Sequence, residues 1–277
     1  MPTLRAALAA TFALTALSPA DPAVPLATRA PPAAPGAAVA PLDESEETPP
    51  VRRATSWRSS VDGPLSRIAE AEARRDVVKG LFTSAGVSFP PAQMLLRGFK
   101  KEHRLELWAA SRAGGPFAHV TTYEICSGSG DLGPKRRQGD RQVPEGFYTL
   151  TEYNPASRYH LAMLVSYPSL SDRILGDKVD PGNEIMIHGR CASVGCLAMT
   201  DERIQEIWIA ATALRYAGGV VHVHIFPSRD MKGLLAANEH PEHRAFWENL
   251  QEGKDFFESR KRLPTVRVEP DGRYRFR

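Results

Sequence analysis

The residues best suited to chemistry lie in one stretch, Glu184-Ile-Met-Ile-His188-Gly189-Arg190-Cys191-Ala-Ser193-Val194-Gly195-Cys196-Leu-Ala-Met-Thr200. A short apolar run ends at a histidine, a loop of small residues follows, and a cysteine stands just before a helix start. The spacing lets the loop fold back so that Cys196 meets His188. A free thiol ionises near pH 8.5, and a neighbouring imidazole or a helix N-terminus can favour the nucleophilic thiolate. Gly195 leaves room for a carbonyl to approach, and backbone N–H groups around Ser193 and Gly195 are candidate oxyanion donors. The pattern fits acyl transfer through a thiol. A structural reading competes with it: Cys191 and Cys196 as a local disulfide, or simply buried. With three cysteines in the chain, at least one has no partner within it.

The surrounding elements must place these groups. Leu65, Ile68, Ala69, Ala73 and Val77 recur at helical spacing over Pro64–Lys79, and Gly80 to Pro91 reads as irregular. The period then changes to two. Met94–Leu96 and Leu105–Trp108 read as strands joined by a turn at Lys100–His103, and Phe117–Cys126, Gly146–Leu150 and Tyr159–Val165 add three more. Glu184–Ile187 is a short strand delivering His188. Thr200 caps a helix whose stripe is Ile204, Ile207, Trp208, Ala211 and Leu214, stopped by Gly218-Gly219. Val220–Phe226 is a strand, and Pro241 opens a helix with Phe246, Leu250, Gly253 and Phe257 on one face. Val266–Glu269 and Arg273–Phe276 form a hairpin around Pro270-Asp271-Gly272. Strands grouped first and helices mostly later predict an α+β fold, mainly β at its catalytic part.

The N-terminus has a different character. Met1–Arg5 carries one positive charge, Ala6–Leu17 is apolar apart from two threonines, and Ser18-Pro19-Ala20 offers a cleavage site. Residues 1–20 therefore read as a signal peptide, too short to span a bilayer. Nine of the 23 prolines and nine alanines fall in residues 19–50, so residues 21–50 read as an extended linker. Residues 51–92 follow as a helical segment, 93–226 as the catalytic domain, and 227–277 as a helical extension with the hairpin. With 35 Lys plus Arg against 32 Asp plus Glu, the charge of +3 argues against a nucleic-acid binder.

His188-Gly189 followed by Ser193-x-Gly195-Cys196 resembles the signature of the L,D-transpeptidase catalytic domain, or YkuD-type, family. Gly139–Tyr148 resembles that family's strand entry, and Cys191 with Ala198-Met-Thr-Asp201 fits its YafK-like branch. The resemblance implies a periplasmic enzyme of a Gram-negative bacterium that acts on peptidoglycan stem peptides. Cys196 would attack the L-centre carbonyl of meso-diaminopimelate and form a thioester, with His188 as base and the Gly189 carbonyl orienting the imidazole. The outcome would be transpeptidation, or hydrolytic release of a peptidoglycan-linked lipoprotein. No cofactor or metal is implied. Val194 stands where the wider family has a second histidine, and the loop is shorter than usual. A catalytically silent peptidoglycan-binding scaffold on the same fold is therefore the alternative reading. Cys126 paired with Cys191 would leave Cys196 free.

Other residues receive weaker readings. Arg190, and after it Arg158, are candidates for binding a substrate carboxylate. His222 and His224 share a strand face, and a solvent-facing role is preferred to zinc. Gly128–Lys135 looks briefly like a phosphate loop, but Pro134 stands where that loop needs lysine. Lys135-Arg136-Arg137 with Arg141 reads as a solvated basic loop, and His160 as structural.

Overall fold

A strand hairpin sets the centre of the fold. In the computed structural model, which describes residues 63–277, β1 (Gln93–Phe99) pairs antiparallel with β2 (Arg104–Ala110). Leu96 opposes Leu107, and the turn falls at Lys100–His103 as the alternation predicts. The expected signal peptide, linker and start of the helical segment lie outside the described residues.

Further strands extend the hairpin on both sides. They are β3 (Ala118–Glu124), β4 (Gly146–Asn154), β5 (Ala162–Val165), β6 (Met186–His188), β7 (Leu197–Ala198) and β8 (Val221–Phe226). Their order is β3-β2-β1-β8-β4-β5-β6-β7, with β1–β8 and β6–β7 parallel and the other pairs antiparallel. The chain leaving β3 then bridges to β7, Ser127 opposite Ala198, with Cys126 N–H donating to the Ala198 carbonyl at 2.9 Å. The two edges of the sheet therefore meet beside the His188–Cys196 segment.

Helices cover both faces, which explains why nearly every residue of β1 is buried. On one face α4 (Asp201–Tyr216) packs with Met94, Leu96, Val223 and Ile225. Thr200 caps it, its Oγ1 accepting from Arg203 N–H. The single stripe predicted for this helix is too narrow: every residue from Ile204 to Leu214 is buried, because α1 (Gly63–Glu72) and α2 (Arg75–Ser84) lie on its outer side. Those two helices correct the single helix expected over Pro64–Lys79. The break falls at Arg74, whose guanidinium bonds Gln205 and Glu206 of α4, and α2 runs on through Gly80. The inward face is also different. Leu65 and Val77 are exposed, while Ala71, Val78 and Phe82 are buried.

The opposite face is covered by the C-terminal part. It comprises α5 (Met231–Ala237), α6 (Arg244–Arg260) and the hairpin β9 (Val266–Val268) and β10 (Tyr274–Phe276). Phe257 packs with Leu95, and Trp247 and Leu250 pack with Phe99 and Phe226. One short helix, α3 (Leu170–Leu175), is closed by a capping box between Ser169 and Asp172. The architecture is α+β, as the order of elements predicts.

Candidate active site

The parallel register of β6 and β7 fixes the two candidate side chains. Ile187 pairs with Leu197 and His188 with Ala198, so Cys196, one residue before β7, shares a sheet face with Met186 and His188. His188 is 2% exposed. Its Nδ1 lies 2.6 Å from the Gly189 carbonyl, which can only accept, so Nδ1 carries the proton and Nε2 keeps a free lone pair. Burial pushes the imidazole below its ordinary pKa, against the opposing effect of that carbonyl. The Tyr159 ring lies 4.6 Å from the His188 ring, a neighbour that no sequence signal marks.

Cys196 is half-buried and is the one free cysteine among the described residues. Its Sγ accepts from Met186 N–H at 3.4 Å and donates to the Glu184 carbonyl at 3.7 Å. Burial pushes the thiol above its ordinary pKa; the Met186 N–H opposes this, Glu184 adds to it and Lys135 opposes it. The helix-end or imidazole activation expected from the sequence is therefore not the resting state. The thiol's hydrogen bonds go to the backbone of Met186 and Glu184, not to the His188 ring.

The connecting loop is held tightly. Gly189 has no room for a side chain, since a Cβ would lie 2.6 Å from Asp201 Oδ1. That carboxylate accepts from Arg190 N–H at 2.8 Å. Gly195 adopts φ +92, a conformation open to glycine. Ser193 Oγ accepts from Cys196 N–H at 2.9 Å and donates to Cys196 C=O at 2.6 Å. Gly195 N–H donates to Ser129 Oγ at 2.6 Å. The amide of Gly195, expected to serve an oxyanion, is thus already paired with a hydroxyl, as is that of Cys196. Cys126 and Cys191 form a disulfide, which ties the end of β3 to this loop and removes the Cys191–Cys196 alternative.

Residues 99–223 match the L,D-transpeptidase catalytic domain, YkuD. The chain is 40% identical over 179 residues to YafK of Escherichia coli K12, provisionally named an L,D-transpeptidase, covering 64% of this chain and 70% of YafK. This chain belongs to the L,D-transpeptidase catalytic-domain family. YafK of Escherichia coli O157:H7 matches to the same extent. Among solved structures, the helical cell shape determining protein Pgp2 of Campylobacter jejuni aligns at 19% identity with a TM-score of 0.40, covering 64% of this chain and 73% of Pgp2. Bd1075 of Bdellovibrio bacteriovorus aligns at 21% and 0.36, covering 62% and 58%.

In this L,D-transpeptidase domain the thiol opens on a cleft of about 260 Å³, lined also by Lys100, Lys101, His103, Ser129 and Asp131. Arg190 and Arg158, the candidates for a substrate carboxylate, are exposed, and neither lines this cleft. The glycine-rich segment dismissed as a phosphate loop forms one wall. Its Ser129 both supports Gly195 and donates to the Arg141 carbonyl at 2.8 Å. The basic loop beyond it is solvated only in part: Arg137 and Arg141 are exposed, but the other two basic side chains are held by the protein. Lys135 is buried on Asp140 at 2.6 Å, and Arg136 stacks on Phe246 and faces Asp172. Val194 is 75% exposed. His224 is buried against Phe147, not solvent-facing, whereas His160 is structural as expected, with Nε2 on Gln205. No group of three or more His, Cys, Asp or Glu able to hold a metal occurs among the described residues.

Proposed function

We propose that this chain is a periplasmic cysteine enzyme acting on peptidoglycan stem peptides at the L-centre carbonyl of meso-diaminopimelate. The observation that carries this reading is the His188 imidazole, neutral and with Nε2 free, on the same sheet face as the Cys196 thiol. Cys196 Sγ forms a bond to the carbonyl carbon while its proton passes to His188 Nε2. The tetrahedral adduct collapses, the leaving amine takes that proton, and a thioester remains. An acceptor amine or water then attacks, gives its proton to His188, and the thiol is regenerated. Gly189 holds the tautomer, while Ser193 and Gly195 hold the backbone of Cys196.

An amine acceptor gives a transpeptide, and water gives hydrolysis, including release of a peptidoglycan-linked lipoprotein. The site is tested by incubating the full chain with defined muropeptides, with and without a lipoprotein-derived lysine adduct, followed by mass spectrometry. A new cross-link selects transpeptidation and a released adduct selects the amidase. No product with any substrate would overturn the enzyme and leave the silent scaffold.

A further inference from the structure

The segment between β4 and β5 touches His188 and Gly189 at three points. The Tyr159 ring lies 4.6 Å from the imidazole, with the two planes tilted by 35°. The Leu161 carbonyl accepts from Gly189 N–H at 3.1 Å. A Cβ on Gly189 would lie 3.1 Å from that of His160, so the segment packs directly on the residue that fixes the imidazole tautomer. Tyr159 is 40% exposed, yet the imidazole beneath it is almost wholly buried.

This segment takes its shape from elsewhere. Residues 155–161 lie outside every helix and strand, and His160 turns the chain at φ +66, a conformation uncommon for a residue with a side chain. The group that closes the bend comes from α1. Arg67 Nη1 donates to the carbonyls of Ser157 at 2.6 Å, His160 at 2.9 Å and Pro155 at 3.2 Å. One permanently charged guanidinium thus draws three carbonyls of the bend together. His160 and the strand beyond it have holds of their own, Nε2 on Gln205 at 3.0 Å and Ala162 paired with His188. Tyr159, whose N–H donates to Ser157 Oγ at 3.1 Å, stands inside the bend that Arg67 closes. Arg67 lies outside the matched residues 99–223.

We infer that Arg67 is a positioning residue for His188, shaping the 155–160 bend so that the Tyr159 ring covers the imidazole. The inference rests on the proposed reading of His188 as base. The single hydrogen bond to Gly189 fixes which nitrogen carries the proton but leaves the tilt of the ring to its neighbours. A flat ring at 4.6 Å restricts that tilt and keeps water from one side of the imidazole.

The test is a double-mutant cycle on the full chain with Arg67→Met and Tyr159→Ala. It is read as kcat on defined muropeptides and as the His188 titration, followed by NMR of the labelled imidazole. Each single substitution should lower kcat roughly 10- to 100-fold, the scale of a misplacement of about 1 Å. Each should also raise the depressed His188 pKa towards its ordinary value, because the imidazole loses its cover. The other titratable groups around this pair are Cys196 on the same sheet face, His160 and Asp201 against Gly189, and Glu70 beside His160, and all are left in place. In the Tyr159→Ala background Arg67→Met should add nothing to either change, since the ring through which it acts is gone. Tyr159→Phe keeps the ring and should match the parent chain. Arg67→Lys keeps a cation for the three carbonyls and should recover most of both losses. Additive effects in the double variant, or a lower melting temperature with the His188 titration unmoved, would overturn the inference. Absence of turnover by the parent chain would sink the proposed function, while the titration still decides whether Arg67 places the ring.

Discussion

The Nδ1–H of His188 donates to the Gly189 carbonyl at 2.6 Å, and this one bond leaves the Nε2 lone pair free for the proposed role as base. Burial lowers the imidazole pKa and raises that of the Cys196 thiol, so the neutral pair is the resting form. Turnover should then persist below pH ~6.5, where an ordinary imidazole is half protonated, and fall only as the lowered His188 value is reached. His188→Ala should cost roughly 10²–10⁴ in turnover. The same substitution should leave alkylation of Cys196 by iodoacetamide at high pH unchanged, because hydroxide then supplies the thiolate. A fast alkylation plateau running through neutral pH would show a thiolate–imidazolium pair instead.

The disulfide between Cys126 and Cys191 closes 65 residues of sequence and sits where Ser127 meets Ala198. Denatured, unreduced protein should show one titratable thiol and reduced protein three. Replacing both cysteines by alanine should lower stability by about 4 kcal/mol, read from urea midpoints, by restoring freedom to the unfolded chain. Turnover should fall as well, since the loop from Gly189 to Gly195 loses its tether to the end of β3. Unchanged stability and turnover would make the bridge incidental.

Much of this geometry is legible in the residues. Alternation places β1 and β2 in register, Thr200 announces α4, and the His188–Cys196 spacing marks the site. The misses share a cause, which is that local patterns do not report what packs on the far side. Leu65 and Val77 look like a core stripe, yet the choice of face is made by Arg74 reaching Gln205 and Glu206, 131 and 132 residues away. Lys135 reads as solvated until Asp140 folds onto it. The cleft wall at Ser129 and Asp131 is invisible because its partners, Gly195 and Cys196, come from a distant loop.

His224 illustrates the same point energetically. It is buried with its ring 4.7 Å from that of Phe147, and its pKa lies well below the ordinary value, first through burial and then through His222 and Arg97. The unfolded imidazole protonates near pH ~6.5, so below that pH the unfolded state binds more protons. Stability from this group is therefore complete above pH ~6.5 and is lost as pH falls towards the depressed folded value. His224→Leu should narrow the difference in melting temperature between pH 7.5 and pH 5, measured by circular dichroism. An unchanged difference would assign the acid sensitivity to other groups.

Glu145 carries the last prediction, because it connects the C-terminal extension to the cleft. It is fully buried and accepts from Trp247 Nε1 at 2.7 Å, Gly133 N–H at 2.8 Å and Lys100 Nζ at 3.1 Å. Trp247 belongs to α6, beyond the matched residues 99–223, so a helix outside the family domain fixes a lysine inside the cleft. Trp247→Phe keeps most of the ring and deletes the donor, and should cost about 1–3 kcal/mol by leaving a carboxylate oxygen unpaired. Glu145→Ala removes the counter-charge of Lys100 and should cost about 3–5 kcal/mol. Urea unfolding measures both. In the folded variants KM should change more than kcat, because Lys100 lines the cleft whereas His188 and Cys196 keep their own contacts. A loss confined to stability, with KM unmoved, would make α6 a cover for the sheet and nothing more.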